Sequence, residues 1–381
     1  MKTRSTVFAA TVAAIVLAAS FVMIVSDDSS ASDPVFSGYY YNQLNTDEKA
    51  VYDKLEGLDL DSTPIQSDVV GGATYYHITV SLTMSSAGSL DVVLKEVRNA
   101  WLATKMVDPM AWWAWSYDDP AAAIPPSSVS VSSSTVSFKI MMTKQYAEGG
   151  ATALKGMVTD TAAAIDAAVS GFDFSSTAST ADKIKAINSY LCGSDFKYDP
   201  AVSSGSGDKC PYNGTVYGAF VNTGADGKHI LVCSGYAAAF QAICDKLGIP
   251  CLTVFGTAAG SSSNDLHAWN IVILESKVYG VDVTFDATGK DSTAYLCVGA
   301  YTVNNGVTFS QSHQPFVSNN TDYLYMGGFV SYDLEDSGYP WPAEDGGIVV
   351  KLTEFAPWIV IGLICALLAY VLYSIGKKGE Q

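Results

Sequence analysis

Two periods of apolar spacing succeed one another along this chain, one near 3.6 residues and one near 2, and each change of period marks an element. The stretch NTDEKAVYDKLEGL places Ala50, Val51, Leu55 and Leu58 on one helical face. Asn45 with Glu48 three residues later predicts a reciprocal cap at its start, and Gly57 lies near its end. Residues 75–83, YYHITVSLT, and 137–142, SFKIMM, alternate as strands. Between them, Leu90, Val93, Leu94, Val97, Trp101 and Leu102 repeat at helical spacing over residues 89–105. An Ala-rich helix is predicted over 151–169, stopped by Gly171, and a shorter one over 181–191. Residues 201–230 are rich in Gly, Ser, Asn and Asp and read as a long surface loop.

The stretch from Leu231 to Thr288 carries the densest pattern. Tyr236 to Leu247 is helical, with Ala239, Phe240, Ile243 and Leu247 on one face, Gly248 ending it and Pro250 beyond. Two strand patterns follow, HAWNIVIL and KVYGVDVTFD. A further strand is read over 295–303, closed by the turn Asn304-Asn305-Gly306. Residues 319–355 hold many Gly and Pro without a period and read as a tether.

The two ends differ from everything between them. Residues 5–25 carry no charge and follow Lys2 and Arg4, which suits either a cleaved secretory signal or a retained anchor. Residues 356–375 are apolar, with Trp358, Tyr370 and Tyr373 toward their ends and Lys377 and Lys378 beyond, as in a transmembrane helix. Basic residues outside both runs place the termini in the cytoplasm and the intervening chain outside the cell membrane.

Composition narrows the function classes. A net charge of −17 with no Lys/Arg-rich run excludes a phosphate-binding face, so no nucleic acid partner is expected. No C-x-x-C, H-E-x-x-H or spaced carboxylate loop occurs, and no metal or cofactor is expected. Of seven cysteines, Cys365 falls in the apolar C-terminal run. Cys244 and Cys251 sit at core positions or form a disulfide, and Cys192, Cys210 and Cys297 are candidates for pairing. Trp112, Trp113 and Trp115 read as packing between regions, with a ligand-stacking platform as the alternative. His77, His229 and His313 have no partner motif and take strand, loop and turn roles.

Cys233 differs from the other cysteines because it opens a helix, where the positive end of the helix dipole favours an anion. If Glu275 and Ser276 form a two-residue hairpin turn, Leu274 pairs with Lys277, and Trp269 and His267 come opposite Asp282 and Thr284. His267 and Asp282 then share a face on a diagonal; a one-residue slip would separate them. Asp282 would orient the imidazole, His267 would deprotonate Cys233 and later protonate a leaving amine, and the Cys233 N–H would be one oxyanion donor.

The motifs Cys233-x-Gly235-Tyr236-Ala237, Leu247 to Pro250, His267-Ala-Trp-Asn270 and Val281 to Asp286 resemble the transglutaminase-like superfamily, whose fold is similar to that of papain-type cysteine proteases. Residues 181–191, Phe196 to Asp199 and Val216 to Phe220 resemble the lead-in of microbial members. The resemblance implies a triad of Cys233, His267 and Asp282, and activities from peptide or amide hydrolysis and deamidation to protein cross-linking. Phe285 stands where many members carry Trp. The calcium of some animal members has no counterpart here.

The expectation is therefore an α+β chain. A signal peptide or N-terminal anchor (1–26) and a small α+β domain (35–171) precede a papain-like catalytic core (172–316) with a central helix against an antiparallel sheet. A linker (317–355) and a transmembrane helix (356–376) follow. Such a chain would be a membrane-tethered, extracytoplasmic thiol enzyme acting on peptide or protein amides, its substrate a peptide, a protein or a cell-envelope component. The alternative is a non-catalytic surface module holding a peptide or envelope polymer in the same groove.

Overall fold

The computed structural model describes residues 38–342, apart from 86–87, 115–122, 148, 176, 205–209, 211, 259–265 and 316–332. The described residues up to Tyr339 form one compact unit, and residues 340–342 belong to another. The apolar runs 5–25 and 356–375 lie outside the described residues, as does Trp115. Among the described residues no helix is long and apolar enough to cross a membrane.

Helix α1 (Thr46–Glu56) starts as its sequence dictates: the Asn45 side chain accepts from Glu48 N, and the Glu48 carboxylate accepts from Asn45 N. Strands β1 (Gln66–Val70) and β2 (Ala73–Thr83), helix α2 (Leu90–Val107), and strands β3 (Val129–Ser132) and β4 (Thr135–Met142) complete the first region. Its antiparallel sheet runs β1-β2-β4-β3. Period-2 alternation buries Val136, Phe138, Ile140 and Met142 on one face of β4, against Val93, Val97 and Trp101 of α2.

Helices α3 (Gly150–Ser170) and α4 (Thr180–Leu191) follow, then strand β5 (Phe196–Tyr198) and helix α5 (Val216–Phe220). Strand β6 (His229–Leu231) pairs in parallel with β5. The stretch read as a bare loop thus contains most of a short helix at Pro200–Ser204, helix α5 and strand β6, the strand ordered by parallel pairing with β5 that local composition does not record. Helix α6 (Cys233–Leu247) ends at Gly248 in the left-handed region, φ 68°. Strands β7 (Cys251–Ala258), β8 (Leu266–Leu274) and β9 (Lys277–Val281) follow, then the short helix α7 (Val283–Thr288).

The expected strand over 295–303 is absent: Cys297 takes φ 51°, which breaks an extended run, and only a Gly280–Val298 bridge forms there. The turn was placed correctly, since two-residue strands β10 (Val303–Asn304) and β11 (Val307–Thr308) flank Asn305 and Gly306. Helix α8 (Phe309–Ser312) leads into strand β12 (His313–Pro315). The second antiparallel sheet runs β12-β7-β8-β9, and α6 packs on it.

The architecture is mixed α+β with antiparallel sheets. One hydrophobic cluster spans the chain on both sides of residue 172, joining Trp101, Phe138 and Ile165 to Trp269, Ile271 and Phe309. Part of the expected tether is ordered against the second sheet: Glu335 N donates to Val278 O (2.9 Å), and Tyr339 N to Cys297 O (2.8 Å).

Candidate active site

Cys233 is delivered by a junction that the chain holds from below. Val232 is extended (φ −111°, ψ −179°) and caps α6. Its N–H donates to Asn213 O at 2.9 Å. Gly235, in the first turn, lies over the same carbonyl; a Cβ there would stand 2.2 Å from Asn213 O, so only glycine lets the two backbones approach. The 210–213 segment is clamped in turn by buried Asp199, which accepts from Cys210 N (2.8 Å) and Asn213 Nδ2 (2.6 Å). Burial pushes the Asp199 carboxyl up, but these donors outweigh it and leave it below its ordinary value. No motif marks Asp199 as the residue that positions the nucleophile's neighbour.

The hairpin forms in the expected register, with Leu274 opposite Lys277. Glu275 and Ser276 both take positive φ (54° and 61°), the pair of left-handed residues that a tight hairpin requires. The ladder ends at Asn270–Val281, three pairs short of the expected His267–Thr284, because Thr284 lies in helix α7. Asp282 leaves the strand because its N–H donates to Tyr295 O (3.0 Å) and its Oδ1 accepts from Phe285 N (3.0 Å), which makes it the cap of α7.

The expected diagonal contact is nonetheless made. His267 Nε2–H donates to Asp282 Oδ2 at 2.6 Å, with the carboxylate wholly buried and the imidazole nearly so. The Cys233 side chain hydrogen-bonds His267 as well. With Nε2 on the carboxylate, Nδ1 is the nitrogen left for sulfur. Burial alone would push His267 down, but the Asp282 charge, its hydrogen bond and Cys233 hold it at about 10. Burial likewise opposes ionisation of Asp282, and His267 and then His313 overcome it, keeping the carboxyl far below its ordinary range. The structure therefore brings Cys233, His267 and Asp282 into one line, in the order a thiol nucleophile and its base require.

Rings cover the His267 imidazole, while Cys233 stays half-buried. Phe285 stacks on His267 with centroids 4.7 Å apart, and Trp269 lies at 6.1 Å. Phe285, where many members of the resembled family carry Trp, packs directly on the imidazole. Trp112 and Trp113 are buried; Trp112 stacks on Tyr217 at 5.3 Å and meets Tyr146 edge-on. They are packing between regions and offer no exposed platform. All six described cysteines are free, and Cys244 and Cys251 hydrogen-bond each other in the core.

Two further residues belong to the site. The first is Asp286, one turn beyond Asp282, which burial raises to about 7 against the pull of the Tyr295 N–H; the Asp282 charge adds to the rise. A raised carboxyl means the folded chain keeps a proton that the unfolded chain releases. Stability from this group is greatest below the unfolded value of about 4 and declines as pH rises toward 7. Asp286→Asn mimics the protonated acid, so its melting temperature should match the native chain at pH 4 and exceed it at pH 8. The gain expected in pH-resolved melts is about 1–2 kcal/mol.

The second feature is His313, read as a turn residue, which the fold carries to the same carboxylate. His313 Nε2–H donates to Asp282 Oδ2 at 2.9 Å, and its Nδ1 lies 2.8 Å from Ser312 Oγ. Among the described residues, His267, Asp282 and His313 form a group of ligand-type atoms within 4.8 Å of one another. The two N–H donors meeting one carboxylate oxygen account for that closeness.

Residues 171–283 match the profile of a family described as "Transglutaminase-like superfamily". A curated relative, "Kyphoscoliosis peptidase" of Mus musculus, is 34% identical over 95 residues, 22% of this chain. The match spans 14% of that protein's length. A solved structure described as "Crystal structure of a TGase" aligns over 43% of this chain and 45% of its own, with 17% identity and a TM-score of 0.29.

Proposed function

Since residues 171–283 are a transglutaminase-like domain, we propose that this chain is a thiol enzyme that cleaves or transfers the acyl group of peptide or protein amides. The observation that carries the reading is the buried 2.6 Å bond from His267 to Asp282, with Cys233 on the far side of the imidazole. In this reading His267 Nδ1 takes the Cys233 proton as sulfur attacks the amide carbonyl, forming the S–C bond. The Cys233 N–H, at the first position of α6 and so without an intrahelical acceptor, faces the oxyanion. The imidazolium then protonates the leaving amine as the C–N bond breaks, while Asp282 keeps the ring oriented and balances its charge. Water or a second amine releases the acyl group; the name of the mouse relative, a peptidase, favours water.

The apolar ends supply the setting in this proposal. One or both hold the chain at the cell membrane, with the domain on the outer side and the Lys377–Lys378 end in the cytoplasm. The full chain is to be incubated with peptide amides and cell-envelope proteins, and the products read by mass spectrometry. Cleavage, deamidation or cross-linking that depends on Cys233 supports the reading. Product formation unchanged when Cys233 is replaced sinks it.

A further inference from the structure

The place of His313 in the fold is the clue to its role. In the sheet order β12-β7-β8-β9, three inter-strand steps separate β12 from β9, about 14 Å in a flat sheet. Yet His313, at the start of β12, bonds Asp282, just past the end of β9, at 2.9 Å. The contact is made by side chains from the two ends of that order, while the outer edge of β9 bonds Val298 and Glu335. Phe309, four residues before His313, lies on Gly280 of β9 so closely that a Cβ there would stand 2.4 Å from the ring. Phe309 also stacks on His313 with centroids 4.0 Å apart, and Trp269 meets the same imidazole edge-on at 5.2 Å. The ring is fixed between aromatic walls with one nitrogen on Ser312 and the other on Asp282.

Deepening the reading of this site as a thiol enzyme, and resting on it, we propose that His313 is a positioning residue that shares the Asp282 carboxylate with His267 and so limits how basic His267 becomes. A carboxylate only accepts, so both Nε2 atoms carry the hydrogen, and Oδ2 divides its charge between two donors. Asp282 then holds the His267 ring without binding its proton so firmly that the leaving amine cannot take it. The low carboxyl pKa of Asp282 has the same origin, since both imidazoles contribute to it.

The ionisable groups around the pair bear on any titration. Cys233 lies on the far side of His267, and Asp286 acts on Asp282 from one turn along α7. The Tyr295 ring is 5.8 Å from His313, and Asp333, Asp336 and Tyr301 share with His313 the lining of an open groove. None of these is altered by a change at His313, so a shift in His267 reports on the shared oxygen.

The test uses the full chain labelled with nitrogen-15 histidine, in a Cys233→Ala background that removes the thiol from the titration and makes the result independent of turnover. His313→Phe keeps a ring against Phe309 and Trp269 but removes the donor. The His267 midpoint should rise by about one pH unit. His313→Gln returns an N–H donor to Asp282 and should restore the midpoint to near that of the background. With Cys233 present, His313→Phe should lower kcat at neutral pH about tenfold with KM unchanged, because a more basic imidazolium gives up its proton more slowly. An unchanged or lowered midpoint in His313→Phe overturns the proposal, as does a rise that His313→Gln fails to reverse. Should His313→Phe not fold, His313→Gln against a donor-free His313→Leu supplies the same comparison. If product formation proves independent of Cys233 the enzyme reading fails separately, since the titration does not use activity.

Discussion

Replacing Cys233 with alanine should abolish the proposed amide turnover, a fall of at least about ten-thousandfold, and leave the fold intact. The loss is that large because no other group in the line can form the covalent bond: His267 has one nitrogen on Asp282, and Asp282 is wholly buried with both oxygens engaged. The fold survives because Cys233 is only partly buried and the junction beneath it is held by Val232, Gly235 and Asp199. A melting midpoint within the scatter of ordinary surface substitutions is expected. A thiol-directed amide probe gives the companion measurement. Among the described cysteines, labelling should fall on Cys233, because the competing thiols are poor nucleophiles. Burial, and then the charges of Asp286 and Asp282, push Cys192 up to about 12. Burial also raises Cys210, Cys251 and Cys297. Among the described cysteines, one label in the native chain, none in Cys233→Ala and one in Cys192→Ala is the expected pattern. Equal labelling of Cys233→Ala and the native chain would remove Cys233 from the chemistry.

The parts of this site legible in the sequence are those that depend on local spacing. Gly248 and the helical run before it located α6, and the hairpin count from Glu275 and Ser276 set the register that brings His267 near Asp282. The rest was hidden because long-range pairing decides it. Residues 283–288 alternate well enough for a strand, but Asp282 caps a helix there once Tyr295 O takes its N–H. His313 carries no motif because its role arises only when the folded chain brings its ring, behind Phe309 on Gly280, to the Asp282 carboxylate. Asp199 lies in a recognisable lead-in, yet its function is to clamp a segment 11 to 14 residues away, and no periodicity encodes that. The aromatic loop is the converse case: packing was the stronger expectation for Trp112 and Trp113, and both are buried.

Asp282→Ala should be the most damaging single change in the domain, because it removes stability as well as turnover. Its carboxylate accepts from His267 and His313 through Oδ2 and from Phe285 N through Oδ1, with no exposed surface. Alanine leaves two buried imidazoles facing a void and uncaps α7. Breaking a buried ionic network in this way costs about 3–5 kcal/mol, and loss of the cap adds about 1 kcal/mol. The pH dependence follows from the lowered carboxyl. Its contribution is present above the unfolded value of about 4 and is lost as pH falls below it, so the gap between native and Asp282→Ala melts should be full at pH 7 and narrow toward pH 3. Asp282→Asn separates the two effects. Its amide oxygen can still accept from Phe285 N, which keeps the cap, but its NH₂ then faces both Nε2 atoms. His267 must move its hydrogen to Nδ1, the nitrogen that has to receive the Cys233 proton. Turnover should fall about ten-thousandfold while most of the stability remains. An Asp282→Asn chain that is as active as the native one would show that the 2.6 Å bond orients nothing the reaction needs.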